Sequence, residues 1–169
     1  MEQPRTTTGG PSTGRPLLLR PPALFAAAIT AGIVLHLAWP LTFMSRAVRW
    51  PIGVALLTAG IALLTAGIAL FAAAMRAFRA ADTPVPGNRS TTAIVRSGPY
   101  RFSRNPIYVA LALIHLGVAL SFGSWWLLLT LAVSIGWIAA AVVPREERYL
   151  EARFGSIYSA YKSSVRRWL

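Results

Sequence analysis

The chain has no cysteine, and among its 169 residues only five are acidic and two are histidine. Without a thiol it forms no disulfide, builds no thiolate metal site, has no cysteine nucleophile and takes no palmitoyl thioester. So few acids and histidines leave a short roster of groups for proton transfer or charge recognition, and no metal site is expected. Charged residues are 13% of the chain against 55% apolar ones. That balance belongs to a membrane protein rather than to a soluble core with a polar coat. The net charge of +12 raises nucleic acid as a partner. The arginines, however, flank apolar runs and form no basic stripe interleaved with aromatics, so no nucleic acid is expected and the bilayer is the expected partner.

Residues 1–20, "MEQPRTTTGGPSTGRPLLLR", are rich in Pro, Gly, Thr and Arg. They bury too little apolar surface to order themselves and read as a disordered tail. They also lack the apolar core and small-residue cleavage site of a signal peptide. Residues 21–169 then form a single membrane domain. Four apolar segments follow, roughly Pro22–Leu41, Pro51–Ala74, Pro106–Phe122 and Ser124–Val143. Each approaches the ~20 residues a helix needs to cross the hydrocarbon layer. The expected class is all-α, a polytopic membrane protein of about four transmembrane helices. Only Phe122 to Ser124 join the last two spans, which predicts a tight antiparallel hairpin. Pro22, Pro51 and Pro106 stand at helix starts, where a missing N–H is harmless.

Sorting the cations by side gives the topology. Arg5, Arg15 and Arg20 lie in the tail. Arg76, Arg79, Arg89, Arg96, Arg101 and Arg104 lie between spans two and three, and Arg145, Arg148, Arg153, Lys162, Arg166 and Arg167 follow span four. The other side has only Arg46 and Arg49. Fifteen against two is a strong positive-inside bias, so a multi-pass protein of the inner membrane with both termini cytoplasmic is expected. Trp39, Trp50, Trp125 and Trp126 then fall at the outer interface, where an aromatic belt belongs.

Span two repeats "LLTAGIA" exactly, at Leu56–Ala62 and Leu63–Ala69. Gly53, Gly60 and Gly67 recur every seven residues and make a stripe on which a second helix can lie close. A repeat of seven is too short for a solenoid.

Two polar segments face the cytoplasm in this scheme, residues 81–108 and 142–161. In the first, "DTPVPGN" is turn-forming and "TTAIVRSG" is extended or irregular, with free backbone groups that a polar ligand can satisfy. In the second, Pro144 followed by Glu146 and Glu147 predicts a new helix start, Gly155 a C-cap and Ser156 the cap of a last helix. Ile157, Tyr161, Val165 and Trp168 would share its face, flanked by Lys162, Arg166 and Arg167, as in an interfacial helix on anionic lipid.

The ordered set "TTAIVRSGPYRFSRNPIY", a helical hairpin, "EERYL" and "FGSIYSAY" resembles the isoprenylcysteine carboxyl methyltransferases and the related phospholipid methyltransferases. Their pattern is GPYxxxRHPxY, EExxL and FGxxYxxY, and the likeness covers Thr91 to Tyr161. The resemblance implies methyl transfer from S-adenosylmethionine to a lipophilic or small acceptor at the cytoplasmic membrane face. Carried over by position, it implies cofactor contacts at Thr92, Ala93, Ile94, Val95, Tyr100, Asn105, Pro106, Ile107, Tyr108 and Glu146. It implies catalytic roles for Arg104 and for Glu147, the latter in substrate binding or orientation. The chemistry suits such a cofactor: backbone groups can meet the adenine edge, tyrosine faces a sulfonium, and a carboxylate an ammonium. Asn105 replaces the pattern's histidine, which keeps donor and acceptor but removes a titrating group. Eukaryotic members carry an arginine one turn before the Glu pair, thought to hold the substrate carboxylate. Here that residue is Val142, which argues against prenylcysteine; Arg145 or Arg104 could stand in.

Blander readings stand beside these. Arg101 and Arg104 can be membrane anchors, Glu146 and Glu147 helix-dipole acids, Tyr158 and Tyr161 interfacial packing. Glu151 would pair with Arg148 along its helix. His115, seven residues after Tyr108 in span three, is either a functional intramembrane group or an interhelical hydrogen-bonding residue. His36 belongs at the outer interface. Rival functions are aminophospholipid N-methylation, small-thiol methylation, NADPH-dependent reduction and a non-enzymatic membrane role.

Overall fold

The computed structural model describes residues 21–43, 51–85 and 91–168. The tail of residues 1–20, together with Arg46, Arg49, Trp50 and Arg89, lies outside them. The order is α1 (Pro21–Ala38), α2 (Pro51–Ala80), a short 3-10 turn (Gly98–Arg101), α3 (Pro106–Phe122), α4 (Trp125–Trp137), a π turn (Ile138–Val142), α5 (Val143–Phe154) and α6 (Ser156–Ser164). Among the described residues there is no strand, only two isolated bridges. The protein is all-α. Three helical runs, Pro21–Ala38, Ile52–Ala80 and Trp125–Phe154, are long and apolar enough to cross a membrane, and α3 is a shorter apolar helix. Val34, Leu37, Val54, Ile61, Leu129, Val133 and Trp137 are exposed on the bundle's outside. Large apolar side chains exposed in this way on α1, α2 and α4 suit lipid and not water.

Three boundaries differ from the sequence expectation. Helix α1 ends at Ala38, not Leu41, because the residue before a proline is pushed out of helical conformation and Pro40 follows Trp39. Helix α2 runs six residues beyond Ala74, to Ala80. "MRAFRA" contains good helix formers and no breaker, and the chain turns only at Asp82, whose φ is 45°. At about 1.5 Å per residue this helix is roughly 45 Å long and outreaches the hydrocarbon layer. The third difference is at Pro144. No new helix starts there, because α4, the π turn and α5 are one continuous run. A proline inside a helix lacks its N–H and collides with the carbonyl four residues back. The widened turn just before it absorbs both defects. Glu146 and Glu147 are therefore carried on a continuing helix and not at the start of a new one, which removes the dipole explanation for them.

At Gly60 and Gly67 the glycine stripe does what its spacing suggested. A Cβ on Gly60 would lie 2.6 Å from the carbonyl oxygen of Gly117, and one on Gly67 2.8 Å from that of Ala110. Helix α2 thus lies almost backbone to backbone on α3, while α1 packs on α4. At one end of the bundle the α3–α4 hairpin closes through Gly123 at φ 59°, a left-handed value that suits glycine. Ser124 caps α4 by accepting from the Leu127 N–H. The segment after α1 docks on this hairpin: the Trp125 N–H donates to Leu41 and Trp126 Nε1 to the Trp39 carbonyl at 2.8 Å. Trp39, Trp125 and Trp126 gather here, and the loop and C-terminal segment gather at the opposite end.

Helix α6 also departs from expectation. It ends at Ser164, and Val165 is already extended at φ −128° and ψ 133°. Ile157 is exposed while Tyr158 and Tyr161 are buried. The N-cap position of α6 is taken by Gly155 and not by Ser156, which is the first helical residue. The face that packs is the tyrosine pair, because the loop before α3 offers it polar partners that lipid does not.

Candidate functional site

The site end is built where three segments meet: the irregular loop before α3, the first turn of α3, and the last turns of the long helix together with the C-terminal residues. The loop is held first by Thr83, just past α2. Its hydroxyl accepts from the Thr92 N–H at 2.9 Å, the Ala93 N–H at 3.3 Å and the Thr92 hydroxyl at 2.9 Å. Arg153 Nε on α5 donates to the Thr91 carbonyl at 2.7 Å. Val95 and Tyr100 bury against Ala74, Ala77 and Phe78, so the extension of α2 serves as the loop's floor. Between these anchors neither Ile94 nor Val95 makes a backbone hydrogen bond among the described residues. Buried or half-buried backbone without partners is rare.

Gly98, at φ 58°, bends the chain into the 3-10 turn that inserts Tyr100. The Tyr100 ring meets Phe78 edge-on at 5.2 Å, and its carbonyl accepts from the Tyr161 hydroxyl at 2.9 Å. Burial pushes the Tyr100 phenol well above its ordinary value, with the Tyr161 and Glu146 charges adding. Tyr161 is pushed up to about 12, chiefly by burial and then by Tyr158, against the opposing pull of Arg104 and Arg96. Tyr158 is raised by burial and Glu147. None of the three serves as a base near neutrality; each is a neutral hydroxyl.

Asn105 and Pro106 open α3. The Asn105 carbonyl accepts from Tyr108 and Val109, and Pro106 takes the first helical position. Ile107 packs against both apolar clusters of this end. Tyr108, one turn in, donates its hydroxyl to Glu146 Oε2 at 2.7 Å. That contact joins α3 to α5 across the bundle. Beside it Glu147, 7% exposed, accepts from Arg104 Nη1 at 2.9 Å on Oε1, and from Arg167 Nε at 3.1 Å and Nη2 at 2.7 Å. Both oxygens of Glu147 are thus taken by guanidinium groups.

Arg167 is a residue that the sequence does not single out. It stands on a short strap after α6 that returns to the loop: the Arg104 N–H donates to the Arg166 carbonyl at 2.9 Å, and Asn105 Nδ2 to that of Arg167 at 2.9 Å. Trp168 then packs on the cluster of Phe25, Tyr108, Val142 and Val143. In the sequence "RRW" reads as flanking cations, and no spacing signal links it to Glu147. Thr83 escapes notice for the same reason, since a lone threonine after a helix announces nothing.

The structure brings Thr92, Ala93, Ile94, Val95, Tyr100, Arg104, Asn105, Pro106, Ile107, Tyr108, Glu146 and Glu147 to one end of the bundle. Val142 is buried in apolar surroundings and Arg145 is exposed. Arg101 lies over Phe102 at the surface. Glu151 pairs with Lys162 Nζ at 2.6 Å and not with Arg148, because Gly155 folds α6 back alongside α5. His115 is fully buried between helices, with Nε2 3.3 Å from the Thr130 hydroxyl and its ring edge-on to Phe25. It lies about 10 Å along α3 from Tyr108. His36 meets Phe122 edge-on near the hairpin end.

These features define a class: a polytopic helical membrane protein with one polar, arginine-rich and tyrosine-rich site where the loop before α3 meets the end of the last long helix. The chain matches the phospholipid methyltransferase family over residues 55–157, and it belongs to that family. An uncharacterized protein of Haemophilus influenzae is 41% identical over 63 residues, which are 37% of this chain and the whole of that protein. No solved structure matches.

Proposed function

We propose that the protein transfers a methyl group from S-adenosylmethionine to a lipophilic or small acceptor, at the cytoplasmic face of the inner membrane. The observation that carries this reading is the Tyr108–Glu146 pair set beside a loop whose Ile94 and Val95 backbone groups have no partner among the described residues. The donor set fits the cofactor: a carboxylate for an ammonium, tyrosine rings for a sulfonium, and unpaired backbone for a nucleobase edge. Bound there, S-adenosylmethionine would supply an electrophilic methyl carbon for in-line attack by an acceptor's lone pair, the C–S bond breaking as the neutral thioether leaves.

The chain's residues then do four things. Glu146, oriented by the Tyr108 hydroxyl, would receive the cofactor's ammonium. Tyr100, Tyr108, Pro106 and Ile107 would wall the reacting end, excluding water and holding the two partners in line, from which most of the acceleration comes. Thr83 occupies the Thr92 and Ala93 N–H groups, so these two residues set the shape of the loop and offer their carbonyls. Arg104 and Glu147 would orient the acceptor. With its oxygens committed to guanidinium groups, Glu147 serves positioning better than proton removal. No strong base is needed, because a carboxylate, a thiolate or a neutral amine attacks directly.

Calorimetry on the purified full chain tests this. The wild type is expected to bind S-adenosylmethionine and its demethylated product and not NADPH. Glu146→Gln should lose roughly tenfold to a hundredfold in affinity, the worth of a charged hydrogen bond. Glu151→Gln, on the exposed pair with Lys162, should lose almost none. Equal, small losses in both would remove Glu146 from the site.

A further inference from the structure

The last long helix presents one buried stripe, from Leu127 through Leu131, Ser134 and Ile138 to Val142, in steps of three and four residues. That is the period of an α-helix, which turns about 100° per residue. Continued in that period, the stripe would pass next through Arg145 and Tyr149, and Glu147 would point to the far side. The structure does otherwise. Arg145, Arg148 and Tyr149 are exposed, whereas Val143 and Glu147 are buried and Glu146 is half-buried. Between Ile138 and Val143 the buried stripe has shifted by one residue.

The π turn makes that shift. The Val143 N–H donates to the Ile138 carbonyl, five residues back where an α-helix reaches four. The turn takes up one residue more than an α turn does, so each residue after it is set back by about 100° around the axis. Pro144 favours this over the straight helix, because it has no N–H for the Ala140 carbonyl and its ring would collide with that group. The turn's own sequence, "IAAAV", suits an ordinary α-helix, since alanine is the best helix former. The consequence falls on the site. With the shift, Glu146 meets the Tyr108 hydroxyl and Glu147 meets Arg104 and Arg167. Without it, the face that meets α3 would carry an arginine.

We propose that Pro144 is a positioning residue: by holding one extra residue in the turn before it, it brings Glu146 and Glu147, in place of Arg145 and Tyr149, onto the face that meets α3 and the loop. The proposal rests on reading this end as the S-adenosylmethionine site, and it adds what sets the direction of the site's two carboxylates.

The test uses the full chain in neutral detergent. Pro144→Ala permits the straight helix, in which the site-facing register survives as a minority, so S-adenosylmethionine affinity measured by calorimetry should fall about tenfold. Deleting Ala140, an exposed residue of the turn, from that variant removes the extra residue and should restore affinity to within about threefold of wild type. A proline that merely interrupts a helix predicts the reverse, a more stable chain with unaltered affinity. Register is also read without ligand. The chain has no cysteine, so Arg145→Cys is a clean reporter. It should react with a soluble maleimide as fast as Arg148→Cys in the wild-type background, and more slowly once Pro144→Ala is added. Failure of the wild type to bind S-adenosylmethionine would count against the proposed function alone, because the labelling still reads the register. Arg145→Cys as unreactive as Ile138→Cys in the wild-type background, or unaltered affinity or labelling in the Pro144→Ala background, overturns the proposal. Should Pro144→Ala not fold, the labelling in the wild-type background decides it.

Discussion

Glu147→Gln should destabilise the fold more than any other substitution among the protein's five acids. The glutamine keeps the volume, but its amide presents one acceptor oxygen and two donors to a pair of guanidinium groups that now have no counter-charge. Removing one partner of a buried ion pair costs about 3–5 kcal/mol, because the charge left behind is not rehydrated. Arg104, 10% exposed, is in that position, whereas Arg167 at 45% can turn to solvent. The lower end of the range applies, about 3 kcal/mol. For a chain of this size that lowers the melting temperature by roughly 6–12 °C. Thermal unfolding in neutral detergent, followed by circular dichroism, reads it. The gap should persist at high salt, since buried pairs are screened little. Adding Arg104→Gln to the variant should recover part of the loss, because the stranded charge goes with it. A Glu147→Gln protein melting within about 2 °C of wild type, or a double variant as unstable as the separate losses added together, would refute the view that Glu147 neutralises both arginines.

Gly60→Leu should separate α2 from α3, since even a Cβ there would lie 2.6 Å from the Gly117 carbonyl. We expect loss of folded protein from the membrane fraction. Gly136→Ala, where nothing lies within 4 Å, should express normally and serve as control. The proposed orientation puts the C-terminus in the cytoplasm, so reporter fusions after Leu169 and within residues 45–49 should give opposite sidedness. A periplasmic C-terminus would place the arginine-rich site on the wrong side for a cytoplasmic methyl donor.

Features legible in the sequence and features set by the fold divide along a physical line. Hydropathy, proline and glycine act over a turn or two, so they announced the four apolar segments, the bounds of α3, the hairpin at Gly123 and the close approach at Gly60 and Gly67. The resemblance placed most of the residues gathered at the site end, because loop and helix motifs recur together in order. Local rules misjudged Pro144, since whether a proline ends a helix or is bridged by a π turn depends on packing around Ile138 and Val142. They stopped the second span at Ala74, although the turn beyond it is held by burying Ala77 and Phe78 against Tyr100. They gave Glu151 a partner on its own helix, where the fold supplies Lys162 from α6. Glu147 and Arg167 are twenty residues apart, and Thr83 and Thr92 nine. No propensity or period encodes such pairs. They exist because the chain's return brings opposite charges, or a hydroxyl and two N–H groups, into a space where water no longer serves as the alternative partner.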